Sequence, residues 1–273
     1  NYPHPASLLL FGFAVLLATS SRSGADLFLA FLALGVVALL AAKSHLFPLV
    51  RRSRWLLLTM LLMFGWLTPG TPQLGIHGAS QEGLLLAADN LGRLFIALAT
   101  VALILKALSP PELVAGIRKL GDFDISVAAY PEKHPQSPDW QSDIDNLKRK
   151  LDAGANRAIT QMFFENDDYF RFVDRARAAG ITAPIVPGIQ PIHSFKQISG
   201  FAGKCGASIP HWLRERFEGL DDDPETHALV ASAVAAEQVL ELVDAGVTEF
   251  HFYTLNRSNL ILALARLLGV RPD

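Results

Sequence analysis

The chain has 273 residues, 51% hydrophobic and 18% charged, with a mean hydropathy of +0.29. Soluble domains average about 25% charged residues, so this composition is too apolar for one water-soluble globule. The net charge of −2 and pI near 6.5 argue against a nucleic-acid partner, and the single cysteine, Cys205, excludes a disulfide framework or a cysteine-built metal site.

The average hides a split. Residues 1–120 carry nine Lys/Arg against four Asp/Glu, and residues 121–273 carry fifteen against twenty-two. Two physically different segments follow one another, with a domain boundary expected at 112/113.

In the first segment, residues 1–112, four charge-free apolar runs succeed one another: Leu8–Ala18, Leu27–Ala42, Trp55–Leu67 and Leu94–Leu105. Each is shorter than the roughly 20 residues a spanning helix needs, but flanks such as Ser7, Thr19, Ser20, Thr68, Ala107 and Leu108 extend them. One such run alone reads as a buried core helix. Four in succession read as an all-α transmembrane segment in contact with lipid. Lys43, Arg51, Arg52 and Arg54 are expected in a loop after the second run, and Lys106, Arg118 and Lys119 follow the fourth. The positive-inside rule then puts both basic segments, and everything after them, on the cytoplasmic side. If the apolar segment is artefactual, the chain is simply cytoplasmic. The start at Asn1, without methionine, reads as a fragment or processed product, and Leu8–Ala18 lacks the basic lead of a signal peptide.

The order of these helices, with Gln81-Glu82-Gly83-Leu84, Leu94–Leu108 and Ser109-Pro110-Pro111-Glu112-Leu113, resembles the transmembrane T component of energy-coupling-factor vitamin and cobalt transporters over residues 1–120. The short Ala-Arg-Gly motifs with which that family grips its ATPases are absent.

After Leu120 the pattern becomes α/β. Strands are predicted at Phe123–Ala129, Ala158–Phe164, Pro184–Ile189 and Glu249–Thr254. Helices are predicted at Asp143–Ala153, Asp168–Ala179, Phe195–Gly203, His227–Ala245 and Ser258–Leu268, with a helical insertion at Pro210–Gly219. Short strands alternating with helices indicate parallel βα units. Four units make half of an eightfold barrel or a small open sheet.

At the strand ends, chemistry-bearing residues accumulate. Tyr130 and His134 follow the first strand. Asp143, Asn146 and Lys150 share one helix face by their spacing, which alone reads as a solvated polar face with an ion pair. Gln161 is an amide in an apolar strand, where lack of a partner would cost roughly 1–3 kcal/mol.

The segments Ser126–Pro135 (SVAAYPEKHP), Asp152–Gln161 (DAGANRAITQ), Pro187-Gly188-Ile189 and His251–Arg257 (HFYTLNR) resemble methylenetetrahydrofolate reductase over Leu113–Pro272. The resemblance implies the C-terminal half of a (β/α)8 TIM barrel and the reduction of 5,10-methylenetetrahydrofolate to 5-methyltetrahydrofolate by NADH or NADPH through FAD. It implies that Tyr130, His134, Asp143, Asn146 and Lys150 contact FAD, with Lys150 and His134 at the pyrophosphate and Asp143 at a ribose hydroxyl. Gln161 would meet folate and nicotinamide in turn. Gln197, Phe201 and Arg257 would contact substrate, although Phe201 also suits a core and Arg257 could pair with Asp122. The glutamate that serves the family as proton donor belongs to the other barrel half, so no catalytic residue is identified here. Glu132 is expected to be structural, Cys205 inert and metals absent.

Glu112–Leu120 reads as an amphipathic helix acceptable to both parents, hence a natural fusion, a rearranged reading frame or an assembly error. A half-barrel would pair with another half, form a homo-oligomer, or remain unstable. The alternative function is a membrane transport component carrying an inactive barrel remnant.

Overall fold

The computed structural model describes residues 5–20, 25–71, 78–257 and 259–270. Ser258, the expected start of the last helix, and Pro272 lie outside them. The chain divides into two compact units, Asn1–Asp122 and Phe123–Asp273.

Among the described residues the first unit holds four helices: α1 (Pro5–Ser20), α2 (Ala25–Leu67), α3 (Gln81–Ala107) and α4 (Pro110–Leu120). The apolar runs expected as separate second and third helices are one helical stretch. Lys43, Arg51, Arg52 and Arg54 therefore lie within α2 and not in a loop. The stretch breaks at Ala42, whose backbone leaves the helical region (φ −135°, ψ 27°). A straight α2 would set Leu27 and Leu61 about 50 Å apart, yet both line one groove with Leu85, Leu91 and Phe95 of α3. Both arms of α2 thus lie along α3, and the buried Ala38, Ala42, Leu46, Ala99 and Ala102 pack where they meet.

The helix ends are set by local chemistry. Ser80 caps α3, its hydroxyl accepting from Gly83 N at 3.0 Å and donating to Thr68 O at 2.7 Å. Before α4, Ser109 and Glu112 form a capping box, with two prolines in the first turn. Gly116 of α4 lies against Pro5 and Leu9 of α1. α4 therefore packs with the first unit, and the division falls ten residues beyond the expected 112/113 boundary.

By length and composition, Asp26–Leu67 and Gln81–Ala107 can cross a membrane. So can Pro224–Asp244 of the second unit, although Val239 and Leu242 there are core residues.

The second unit is α/β. Strands β1 (Ser126–Ala129), β2 (Arg157–Thr160), β3 (Ile185–Val186), β4 (Gly188–Ile189) and β5 (His251–Phe252) alternate with helices α5 (Trp140–Asp152), α6 (Asn166–Ala178), α7 (Phe195–Cys205), α8 (His211–Phe217), α9 (Pro224–Asp244) and α10 (Asn259–Leu267). All pairings are parallel: β1 with β2, β2 with β3, and β4 with β5. β3 and β4 are one extended segment interrupted at Pro187, whose ring removes an amide donor. The four predicted βα units are present, with shorter strands than expected.

One core covers both the three-stranded sheet β1-β2-β3 and the β4-β5 pair. Ala129, Ala158, Ile185 and Ile189 pack with Phe163, Phe172, Val239 and Leu242 in the main core. Tyr169 stacks on Phe163 at 5.5 Å and donates its hydroxyl to Ile185 O at 2.8 Å. At the N-terminal ends of the strands, Arg157 pairs with Asp124 at 2.8 Å and Glu249 at 3.6 Å. A second core joins Met162, Phe164 and Ile192 to α7, α8 and α9.

Candidate functional site

Side chains alternate across a strand, and Phe250 and Phe252 pack against the main core. His251 and Tyr253 are thereby turned to the other face, with Tyr130 and Gln161 at the C-terminal ends of β1 and β2. Parallel α/β folds gather ligand-binding groups at this rim.

Tyr253 ties the rim together. Its hydroxyl donates to Thr160 O at 2.8 Å, while Thr160 Oγ1 accepts from Gly188 N at 2.8 Å. Only glycine fits between them. A methyl group on Gly188 would stand 2.1 Å from Thr160 O and 2.7 Å from the Tyr253 ring. Gln161 follows Thr160 directly. Its amide N donates to Ala129 O at 2.8 Å, and its Oε1 accepts from Met162 N at 3.0 Å, leaving the side-chain NH2 for a further partner.

Three of the predicted cofactor residues form one cluster after β1. The rings of Tyr130 and His134 meet edge to face at 4.5 Å. His134 Nδ1 accepts from Gln136 N at 3.0 Å, which assigns the ring proton to Nε2. Asp143 is buried, with one oxygen accepting from His134 N at 3.0 Å and the other from Ser137 Oγ at 2.7 Å. In this structure its carboxylate organises loop 134–137.

Lys150 and Asn146 continue along α5, both half-buried. The Lys150 amine donates to Ala128 O at 2.7 Å. Ala129 O bonds β2, so by alternation Ala128 O points to the unpaired side of β1, where the lysine covers it. Burial lowers the Lys150 pKa, against the opposing attraction of Asp143. Burial raises the pKa values of Tyr130 and Tyr253, keeping both phenols protonated as donors. Cys205 is half-buried, and burial raises its pKa too, keeping it a thiol. Glu132 accepts from Ser208 N with both oxygens at 3.0 Å.

The predicted substrate residues do not all converge. Gln197 and Phe201 are one turn apart on α7 and both exposed, Phe201 by 46%. Arg257 is exposed on the loop after β5. Asp122, its suggested ion-pair partner, is bonded by Arg118 at 2.9 Å. Sequence reasoning missed Tyr253 and Thr160. The alternation in Phe250-His251-Phe252-Tyr253 was the available signal for the first.

A family model described as methylenetetrahydrofolate reductase matches residues 107–269. The 5,10-methylenetetrahydrofolate reductase of Pectobacterium carotovorum subsp. carotovorum is 52% identical over 162 residues, which cover 59% of this chain and 54% of that protein. That of Escherichia coli (strain K12) is 52% identical over 161 residues, with the same coverage. Methylenetetrahydrofolate reductase (NADH) 1 of Arabidopsis thaliana is 38% identical over 170 residues, covering 58% of this chain and 29% of that protein. The chain spans about half the length of the bacterial relatives.

Proposed function

The chain belongs to the methylenetetrahydrofolate reductase family, and on that premise we propose that its second unit is the C-terminal half of a (β/α)8 barrel. Its rim would serve the FAD-dependent reduction of 5,10-methylenetetrahydrofolate to 5-methyltetrahydrofolate by NADH or NADPH. The observation that carries this is the meeting of Tyr130, His134, Lys150, Gln161 and Tyr253 around the C-terminal ends of parallel strands.

The residues present fit the phosphate end of FAD. Lys150 brings a half-buried amine whose protein partner is one edge carbonyl, and His134 brings an Nε2–H donor. Both suit a pyrophosphate. The fit at the ribose through Asp143 is poorer, because both its oxygens already accept hydrogen bonds from loop 134–137. Asn146, one turn further along α5, is the better placed polar group for that contact.

When bound, FAD supplies a two-electron carrier between the nicotinamide and the folate. The chain's own contribution is to bind and orient. The Gln161 amide would donate to whichever ligand faces the flavin, and the protonated phenols of Tyr130 and Tyr253 would add hydrogen-bond donors beside it. Glu132 and Asp143 are the carboxylates of the loop after β1 and helix α5 nearest the rim, and each is engaged by loop donors. The proton-donor role is assigned to no described residue.

For the first unit we propose a membrane-embedded bundle like a T component, with the second unit in the cytoplasm. With Arg51, Arg52 and Arg54 inside the second arm of α2, the charge argument rests on Lys43 and Lys106. Ala42 and Ala102 pack together, so Lys43 and Lys106 lie at one end of the bundle, while Glu82 begins α3 at the other. The family match favours the reductase over a transport role.

Purification of the whole chain in detergent, followed by an absorption spectrum, tests the reading. Stoichiometric FAD, bleached by NADH or NADPH without oxygen and restored by methylenetetrahydrofolate, supports it. Protein that stays colourless after incubation with FAD overturns it.

A further inference from the structure

The arginines of α2 interrupt an otherwise apolar arm. Phe47, Pro48, Arg51, Arg52, Arg54 and Trp55 line a cleft of about 480 Å³ on it. Phe47, Arg51 and Trp55 recur every fourth residue, as do Pro48 and Arg52, so the cleft follows one helix face. That face is open. Phe47 is 70% and Trp55 65% exposed, and all three arginines are exposed.

The charge on this face is uncompensated. The cleft lining contains no carboxylate. Among the described residues none forms an ion pair or hydrogen bond with Arg51, Arg52 or Arg54. Arg54 Cζ lies instead 5.4 Å from the ring centre of Trp55, a cation–π contact that holds it at the cleft. Three guanidinium groups within two helical turns repel one another, and an anion between them offsets that repulsion.

Depth selects the kind of anion. Thr68 O accepts from the Ser80 hydroxyl that caps α3, so α2 ends at the face of the bundle where α3 begins. Counted back from Leu67, a hydrocarbon core about 30 Å thick takes up about 20 residues and ends near Pro48. Arg51, Arg52 and Arg54 therefore leave the helix about one turn inside the core and extend towards its edge. An anion that meets them there is best carried on an acyl chain. Phe47 and Trp55 supply apolar surface for such a chain, and tryptophan favours this interface.

We infer that this cleft binds the phosphate of an anionic phospholipid, held by Arg51 and Arg52 beside Arg54, with the acyl chains along Phe47 and Trp55. A zwitterionic lipid fits less well, because no carboxylate of the cleft receives its ammonium group. The inference rests on the membrane reading of the first unit and is independent of the reductase reading of the second.

The test is native mass spectrometry of the whole chain, released from micelles holding equal amounts of phosphatidylglycerol and phosphatidylcholine with identical acyl chains. The unaltered chain is expected to retain phosphatidylglycerol with a preference of at least about tenfold, given two or three cations near the phosphate. The preference is expected to fall towards one in Arg51→Gln/Arg52→Gln. It should stay near the native value in Lys43→Gln/Lys106→Gln, which removes as many charges outside the cleft. Equal loss in both double variants overturns the site in favour of diffuse attraction. So does equal retention of the two lipids by the unaltered chain, or displacement of phosphatidylglycerol by inorganic phosphate. A chain that, freed of detergent, floats with vesicles of neither lipid overturns the membrane reading itself, and the site with it.

Discussion

The hydroxyl of Tyr253 donates to the carbonyl oxygen of Thr160 at 2.8 Å, crossing β4 at Gly188. Three strands are fixed by one side chain at the point where Pro187 cannot donate. Tyr253→Phe should remove about 1 kcal/mol of stability, and Gly188→Ala should cost more, about 1–3 kcal/mol, because its methyl meets backbone. Thermal unfolding of the full chain, followed by near-ultraviolet circular dichroism, checks the order. Because burial holds the folded pKa of Tyr253 above that of the unfolded chain, this stabilisation is present below pH 10. It is lost as the pH rises through the folded value. Equal melting of Gly188→Ala and the native chain would refute the packing.

That tie shows where sequence reading stops. Strand–helix alternation made the four βα units legible, and the polar residues at strand ends marked the rim. A hydrogen bond from Tyr253 to Thr160 depends on β2 and β5 both lying beside the interrupted β3–β4 segment, and spacing does not encode that adjacency. Ala42 is similar. Neither glycine nor proline marks the break in α2, and Pro48 lies six residues further on. At the break, Ala38 and Ala42 are buried in one cluster with Ala99 and Ala102 of α3, a tertiary fact. Asp143 was legible as a polar group on a helix face. Its engagement by His134 and Ser137 was not, because both partners belong to a loop without periodicity.

Lys150 sets stability against binding. Its amine is half-buried against one carbonyl, and burial lowers its pKa. The folded state thus disfavours the cation, and stability gains as pH rises from the folded value towards the unfolded value of about 10.4. Lys150→Met should leave the ligand-free chain as stable as the native one, or more so, by differential scanning calorimetry. Its FAD affinity, followed by flavin fluorescence quenching, should fall at least about tenfold through loss of a charge-assisted contact. Unchanged FAD affinity would remove Lys150 from the phosphate site.

Asp143 offers a sharper separation of roles. As a loop organiser it accepts from His134 N and Ser137 Oγ, so Asp143→Asn exchanges an acceptor for a donor facing one of these groups. The expected result is a loss of about 1–3 kcal/mol in denaturant unfolding of the ligand-free chain, together with weaker FAD binding. If Asp143 serves only the ribose, FAD affinity alone should fall and unfolding of the ligand-free chain should be unaltered.

The bundle of the first unit makes a prediction about sidedness. Lys43 follows the break in α2 and Lys106 ends α3, at the end where Ala42 meets Ala102. Glu82 lies in the first turn of α3, held by Thr71 N at 2.8 Å. α3 has 27 residues, about 40 Å of helix, against a hydrocarbon core about 30 Å thick. Its two ends would therefore emerge on opposite faces of a bilayer. Single cysteines at positions 43, 106 and 82, introduced in a Cys205→Ser chain, can be probed with a membrane-impermeant maleimide in sealed inverted vesicles. Lys43→Cys and Lys106→Cys should label from the cytoplasmic face and Glu82→Cys only after permeabilisation. Labelling of positions 82 and 106 alike without permeabilisation would show that α3 does not cross.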